Sequence, residues 1–151
     1  MEGDEDEDED EEVVVNPDCP AMGHSGGVNR VAFSHDGAQV VSASDDNTVR
    51  IFDVASGRQV RQFSGNTFAL VEGLSAEHKR DRHVITADGE TLRIYEIGNE
   101  EQHAEDGVVA ASVACFKAPK IIDSVRCFGA TICVGCEHGA VCILLAPILT
   151  A

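Results

Sequence analysis

An all-β fold built from a repeated four-strand unit is predicted by three observations on this chain of 151 residues. Its apolar residues fall in short runs of about four to six, separated by Gly, Asp, Asn and Ser, which is the texture of strands and tight turns. A complete hairpin pattern recurs after 43 residues, from Thr48 to Thr91. The 14 glycines are enough to serve many turns. A hydrophobic content of 43% is sufficient for a packed core.

The chain opens on a different texture. Ten carboxylates lie between Glu2 and Glu12, in a run that repels itself and buries nothing, so residues 1–12 are expected to be a disordered acidic tail. The tail accounts for most of the net charge of −16, because residues 13–151 carry 17 acidic against 11 basic side chains. The globular part is expected to start at Val13, with Val13-Val14-Val15 available as an extra outer strand.

The first unit is the clearest. A strand is predicted over Val28-Asn29-Arg30-Val31-Ala32-Phe33, then a turn at Ser34-His35-Asp36-Gly37, then a strand over Gln39 to Ser44. Asp36-Gly37 between apolar runs is a strong hairpin signal, since glycine accepts the positive φ such a turn needs. Asp45-Asp46-Asn47 turns the chain into Thr48-Val49-Arg50-Ile51-Phe52, and after Ser56-Gly57 a fourth strand runs from Arg58 to Phe63.

The second unit repeats the hairpin. Thr86-Ala87-Asp88-Gly89-Glu90-Thr91-Leu92-Arg93-Ile94-Tyr95-Glu96 aligns with the segment from Ser42, with its turn one residue shorter. The third copy is degraded and runs from Val134 to Leu145, with Ala140 standing 49 residues after Thr91. The longer interval holds the polar stretch Gly98 to Gly107, expected as an enlarged surface loop. A period of about 40–45 residues with four strands per copy is that of a β-propeller blade. The expected blades are approximately 23–63, 64–116 and 117–151.

These residues resemble the WD-repeat, or β-transducin repeat, family. Gly23-His24 stands at its Gly-His pair and Phe52-Asp53 at its Trp-Asp pair, while the segment from Ser42 to Ile51 matches almost residue for residue. The resemblance implies a structural hydrogen-bond chain inside the blade, made by His24, Ser42 or Ser44, Asp46 and Phe52. Phenylalanine has no indole N–H, so the chain is expected to end at the serine. The second copy has Gly65-Asn66 and Tyr95-Glu96 at the two pairs, and the third has His138 for the turn Asp and Leu144-Leu145 at its end.

The fold class is therefore expected to be all-β: a partial WD-repeat propeller of about three four-stranded antiparallel blades. Propellers usually close with about four to eight blades. Three copies leave an arc with open edges. The expectation is that the chain is the C-terminal part of a longer propeller or a protomer that closes by association.

Several functions are disfavoured. Clustered Lys and Arg for gripping phosphates are lacking, so no direct nucleic-acid binding is expected. No apolar run reaches about 18 residues, and carboxylates follow Met1 where a secretory signal would be basic then apolar, so neither a membrane span nor secretion is expected. A cytoplasmic or nuclear location follows. Gly23, Gly26 and Gly27 lack the Lys-Ser/Thr of a phosphate-binding loop, and no cofactor is expected.

Three features invite chemistry and have plainer readings beside it. Cys133-Val134-Gly135-Cys136 has a zinc-knuckle spacing, with Cys127, His138 and Cys142 nearby as further candidate ligands. The same stretch fits a strand, a turn and a strand, and cysteine packs as a small hydrophobe; packing with no metal is the expectation. His24 and Asp46, with Ser42 or Ser44, have the residue types of a nucleophilic triad, which would need an exposed serine and an oxyanion hole; no catalytic role is expected. His78-Lys79-Arg80-Asp81-Arg82-His83 is read as a solvated turn, with grip on an acidic partner or on the chain's own acidic tail as the alternatives.

The resemblance implies a non-catalytic scaffold binding other proteins through the propeller rim and loops, with a basic partner possible for the acidic tail. The alternatives are a C-terminal sensor propeller of a multidomain signalling NTPase and a metal- or redox-active cysteine protein. An Arg two residues beyond the Trp-Asp pair, common in cullin-ligase adaptors of the family, is absent after Asp53 and Glu96.

Overall fold

The structure, a computed structural model, describes residues 23–72, 81–97 and 112–150. The acidic tail, Val13-Val14-Val15, His78 to Arg80 and the stretch Gly98 to Gly107 lie outside the described residues. Within them, three antiparallel sheets follow one another along the chain. The first sheet is β1 (Val28–Phe33), β2 (Gln39–Ser44), β3 (Thr48–Asp53) and β4 (Gln59–Ser64), in that spatial order. The second is β5 (Thr67–Glu72), β6 (Asp81–Asp88), β7 (Thr91–Glu96) and β8 (Ala114–Lys117). The third is β9 (Ile122–Phe128), β10 (Thr131–Cys136) and β11 (Val141–Leu145), in the order β11-β10-β9.

Turn chemistry fixes these hairpins. Between β1 and β2, Gly37 takes φ +71, and the Asp36 carboxylate accepts from the Ser34 hydroxyl at 2.6 Å and the Ala38 N–H at 3.0 Å. The β2–β3 turn has three residues with Asn47 at φ +65, whereas the β6–β7 turn has two with Gly89 at φ +56. The one-residue difference between the repeats is thus taken up wholly in the turn, and the strand register beyond it is preserved: Ala43 faces Val49 as Ala87 faces Leu92.

The third sheet departs from the expected four strands. After β11 the chain enters a 3₁₀ turn at Pro147–Thr150, and Leu149 is buried there against the second and third sheets. Proline lacks the N–H a ladder needs, so the chain leaves the sheet plane instead of pairing along β11.

Strands of the second sheet are buried on both faces. Alternate residues point in opposite directions, so Phe68, Val84 and Tyr95 pack with Val41, Val49, Ile51 and Phe63 of the first sheet. Their neighbours Ala69, Ile85, Leu92 and Ile94 pack with Ile122, Val125, Ile132 and Val134 of the third. The three sheets therefore stack in sequence order around two cores, like successive blades. Among the described residues no helix is long and apolar enough to cross a membrane.

Candidate functional site

The polar centre of the first sheet forms around His24, which lies just before β1. Its Nδ1 stands 3.0 Å from Asp46 Oδ2, and its Nε2 stands 2.6 Å from Ser42 Oγ. An ionised carboxylate can only accept, so Nδ1–H is the donor and, in the neutral ring, Nε2 accepts from the Ser42 hydroxyl. Asp46 gathers more donors. Oδ1 accepts from the Thr48 hydroxyl at 2.6 Å and the Thr48 N–H at 2.9 Å, and Oδ2 accepts from the Ser25 N–H at 3.0 Å. The Arg50 guanidinium completes the group at 3.4 Å and also reaches Gly23 O at 3.3 Å.

The side chains of His24 and Asp46 are only 3% and 6% exposed. Burial alone would push the Asp46 carboxyl up, but the donors of Thr48, Ser25 and His24 outweigh it and hold the group well below the usual carboxylate range. These bonds tie the Gly23–Ser25 segment, the centre of β2 and the β2–β3 turn into one unit. Ser42 is buried as well, with its hydroxyl engaged by His24.

Of the sequence-predicted residues, the structure therefore brings His24, Ser42 and Asp46 together. Ser44 lies outside the group and accepts the Asp46 N–H at 3.1 Å, closing the turn. Phe52 sits opposite Val40 and contributes a ring with no polar atom. Thr48 and Arg50 are additional members. Their sequence signal is the alternation from Asp46, which sets 46, 48 and 50 along one side of the strand and its turn.

The second sheet carries a different part of the pattern. Gly65 occupies the pair position, and a Cβ there would lie 2.9 Å from Thr86 Cβ. With no histidine, the Thr86 hydroxyl donates to Ser64 O at 2.7 Å, and Tyr95 is buried on the same face of the sheet. Burial among these groups pushes the Tyr95 phenol up.

The cysteines are separated by the pleat. Register puts Cys127, Cys136 and Cys142 on the face of the third sheet toward the second, while Cys133 sits on the opposite, exposed face and His138 in the exposed turn. Among the described residues no three His, Cys, Asp or Glu side chains are grouped to hold a metal ion. Burial pushes the Cys127 and Cys136 thiols up, with Cys142 adding to the effect at Cys136, which disfavours the reactive thiolate.

The basic stretch differs from a plain solvated turn. Asp81 already opens β6, and His83 is a buried strand residue. The reason is parity, since His83 shares its side of β6 with Ile85 and Ala87. Arg30 is a further residue the sequence did not single out. From β1 its guanidinium lies 4.7 Å over the Phe68 ring, donates to Phe68 O, and reaches Val125 O at 3.5 Å. It links all three sheets.

Residues 18–53 match the family profile described as WD domain, G-beta repeat. The chain is 34% identical over 70 residues to cleavage stimulation factor subunit 50 of Arabidopsis thaliana, covering 46% of this chain and 16% of that protein. It is 45% identical over 42 residues to a guanine nucleotide-binding protein subunit beta of Oryza sativa, covering 28% of this chain and 11% of that one. The chain thus spans less than a fifth of these relatives. In three dimensions it resembles the crystal structure of RRP9 WD40 repeats, with a TM-score of 0.64 at 11% identity over 85% of this chain and 38% of that one.

Proposed function

We propose that this chain, whose residues 18–53 match a WD repeat, works as a non-catalytic scaffold, offering the turns and rim of its blades to other proteins. The observation that carries this reading is the use made of the Asp46, His24 and Ser42 set. All three side chains are buried and spent on fastening backbone segments to one another, so the group acts as a structural chain that stiffens the blade. Such a blade presents its turns to solvent, and a rigid frame with exposed turns is a common basis for recognition. Two of its relatives are named as subunits, which supports a place in an assembly. The cysteines and His138 are read as packing and turn residues with no metal, and no cofactor is invoked. The location that goes with this role is the cytoplasm or the nucleus, and a protein with a basic surface is the partner suited to residues 2–12.

The test uses the full chain, tagged and cross-linked in cells, with each captured protein then purified and bound back. Saturable binding with Kd of about 1 μM or tighter is expected, worth roughly 8 kcal/mol, and it should survive His24→Ala wherever the blade stays folded. Hydrolytic turnover by the wild-type chain that His24→Ala abolishes with the fold intact would overturn the scaffold reading.

A further inference from the structure

The first and third sheets each carry an apolar face that the repeat, by its own register, treats as an interior. In the third sheet Gly135 pairs with Val141, and Ile143 lies two residues on. The equivalent sets are Ala43, Val49 and Ile51 in the first sheet and Ala87, Leu92 and Ile94 in the second. Those two sets are buried by the sheet that follows, with no member more than 4% exposed. Val141 and Ile143 are 67% and 72% exposed, and Phe128 and Leu145 on the same face are more exposed still.

The opposite face of the repeat behaves in the same way. Phe68 pairs with Thr86 and Leu70 with Val84 in the second sheet, as Val125 pairs with Val134 and Cys127 with Ile132 in the third. In both sheets this face packs on the preceding sheet. Its counterparts in the first sheet are Val31 opposite Ser42 and Phe33 opposite Val40, and they are 64% and 67% exposed. One chain therefore carries both halves of a seam that it already makes twice internally.

We propose that a second copy of this chain covers both faces, with the open face of the first sheet in each copy seated on the open face of the third sheet in the other. Two such seams related by a twofold axis close a ring of six sheets, within the range of about four to eight at which propellers close. The contact is heterologous at each seam yet closed overall, so assembly stops at two copies. The area suffices. Six apolar side chains meet at each seam, and at roughly 60–120 Å² apiece the two seams bury on the order of 1,000 Å² of apolar surface. Specific interfaces bury about 1,200–2,000 Å² in total, a range the ring reaches once the polar rim of each seam is added.

Sedimentation of the full chain up to about 100 μM tests this. The expected species is a dimer of the 16.1 kDa chain. Phe33→Asp and Ile143→Asp, at positions exposed in the single arc, should each weaken dimerisation at least tenfold. An equimolar mixture should recover a heterodimer, because one of its two seams is again wild type. The Cys133 thiol gives a second readout. It lies on the third sheet's open face, so its alkylation should slow as the dimer forms, while that of exposed Cys115 does not. Circular dichroism checks that each variant keeps its strands, and the wild-type thiol readout needs no variant at all. A folded monomer throughout the range, a variant that dimerises as the wild type does, or a series of growing open oligomers would each overturn the proposal.

Discussion

Asp46 is the residue on which the first blade depends most, because a buried carboxylate with several donors has no cheap substitute. Asp46→Asn keeps the size and removes the charge, and should lower stability by about 1.5–3 kcal/mol, the range for hydrogen bonds to charged groups, read as a fall in the urea midpoint. The pH dependence has a definite sign. The folded-state pKa of Asp46 lies below its unfolded value of about 3.8, so its contribution is complete above about pH 4 and is lost as pH falls further. Acid titration of stability should be shallower in Asp46→Asn than in the wild type below pH 4; parallel curves would refute the assignment. His24, Ser42 and Asp46 were legible in the sequence through the resemblance of Gly23-His24 and the segment from Ser42 to Ile51 to the WD-repeat pattern, which is carried by local residues. The bond from the Thr86 hydroxyl to Ser64 O was not. It depends on Gly65 giving up the side chain that would otherwise occupy that place, a matter of contact between β6 and the segment before β5.

At the scale of elements, the strands and turns follow from alternation and from residues that accept positive φ. Gly65 is the position where that freedom and close packing coincide. It sits at φ +146, and a Cβ would press on Thr86 Cβ and stand 3.0 Å from Ala87 O. Gly65→Ala should cost about 1–3 kcal/mol in strain, seen as a drop in Tm, whereas Gly37→Ala, at a turn with nothing within 4 Å, should cost less. The short third sheet was beyond reach of pattern reading, because the apolar residues after Leu145 fit a strand or a buried turn equally well. Leu149 decides it by reaching the core between the second and third sheets. His83 shows the same limit from the other side: its charged neighbours in sequence read as solvent, while the pleat turns it inward.

At the scale of the whole molecule, Arg30 is the link between sheets. Arg30→Ala removes a guanidinium that bonds carbonyls of β5 and β9, and should destabilise the stack by about 1.5–3 kcal/mol, with a lower unfolding midpoint as the measure. Charge acts over longer distances. With ten carboxylates in residues 2–12, binding of a lysine-rich peptide should weaken between about 0.05 and 0.5 M salt as screening sets in, and deletion of 2–12 should abolish it; salt-insensitive binding by the deleted chain would contradict this role for the tail.

Ile51, Ile94 and Ile143 mark the boundary between what sequence and tertiary structure each decide. The sequence by itself determined that all three are strand residues on the same face of a repeated hairpin, since alternation and turn chemistry act within a few residues. Only the tertiary structure decided that the first two are buried at 1% and 4% exposure while the third is 72% exposed. The apolar area a side chain loses to water depends on which sheet lies over it, and that neighbour comes from another part of the fold.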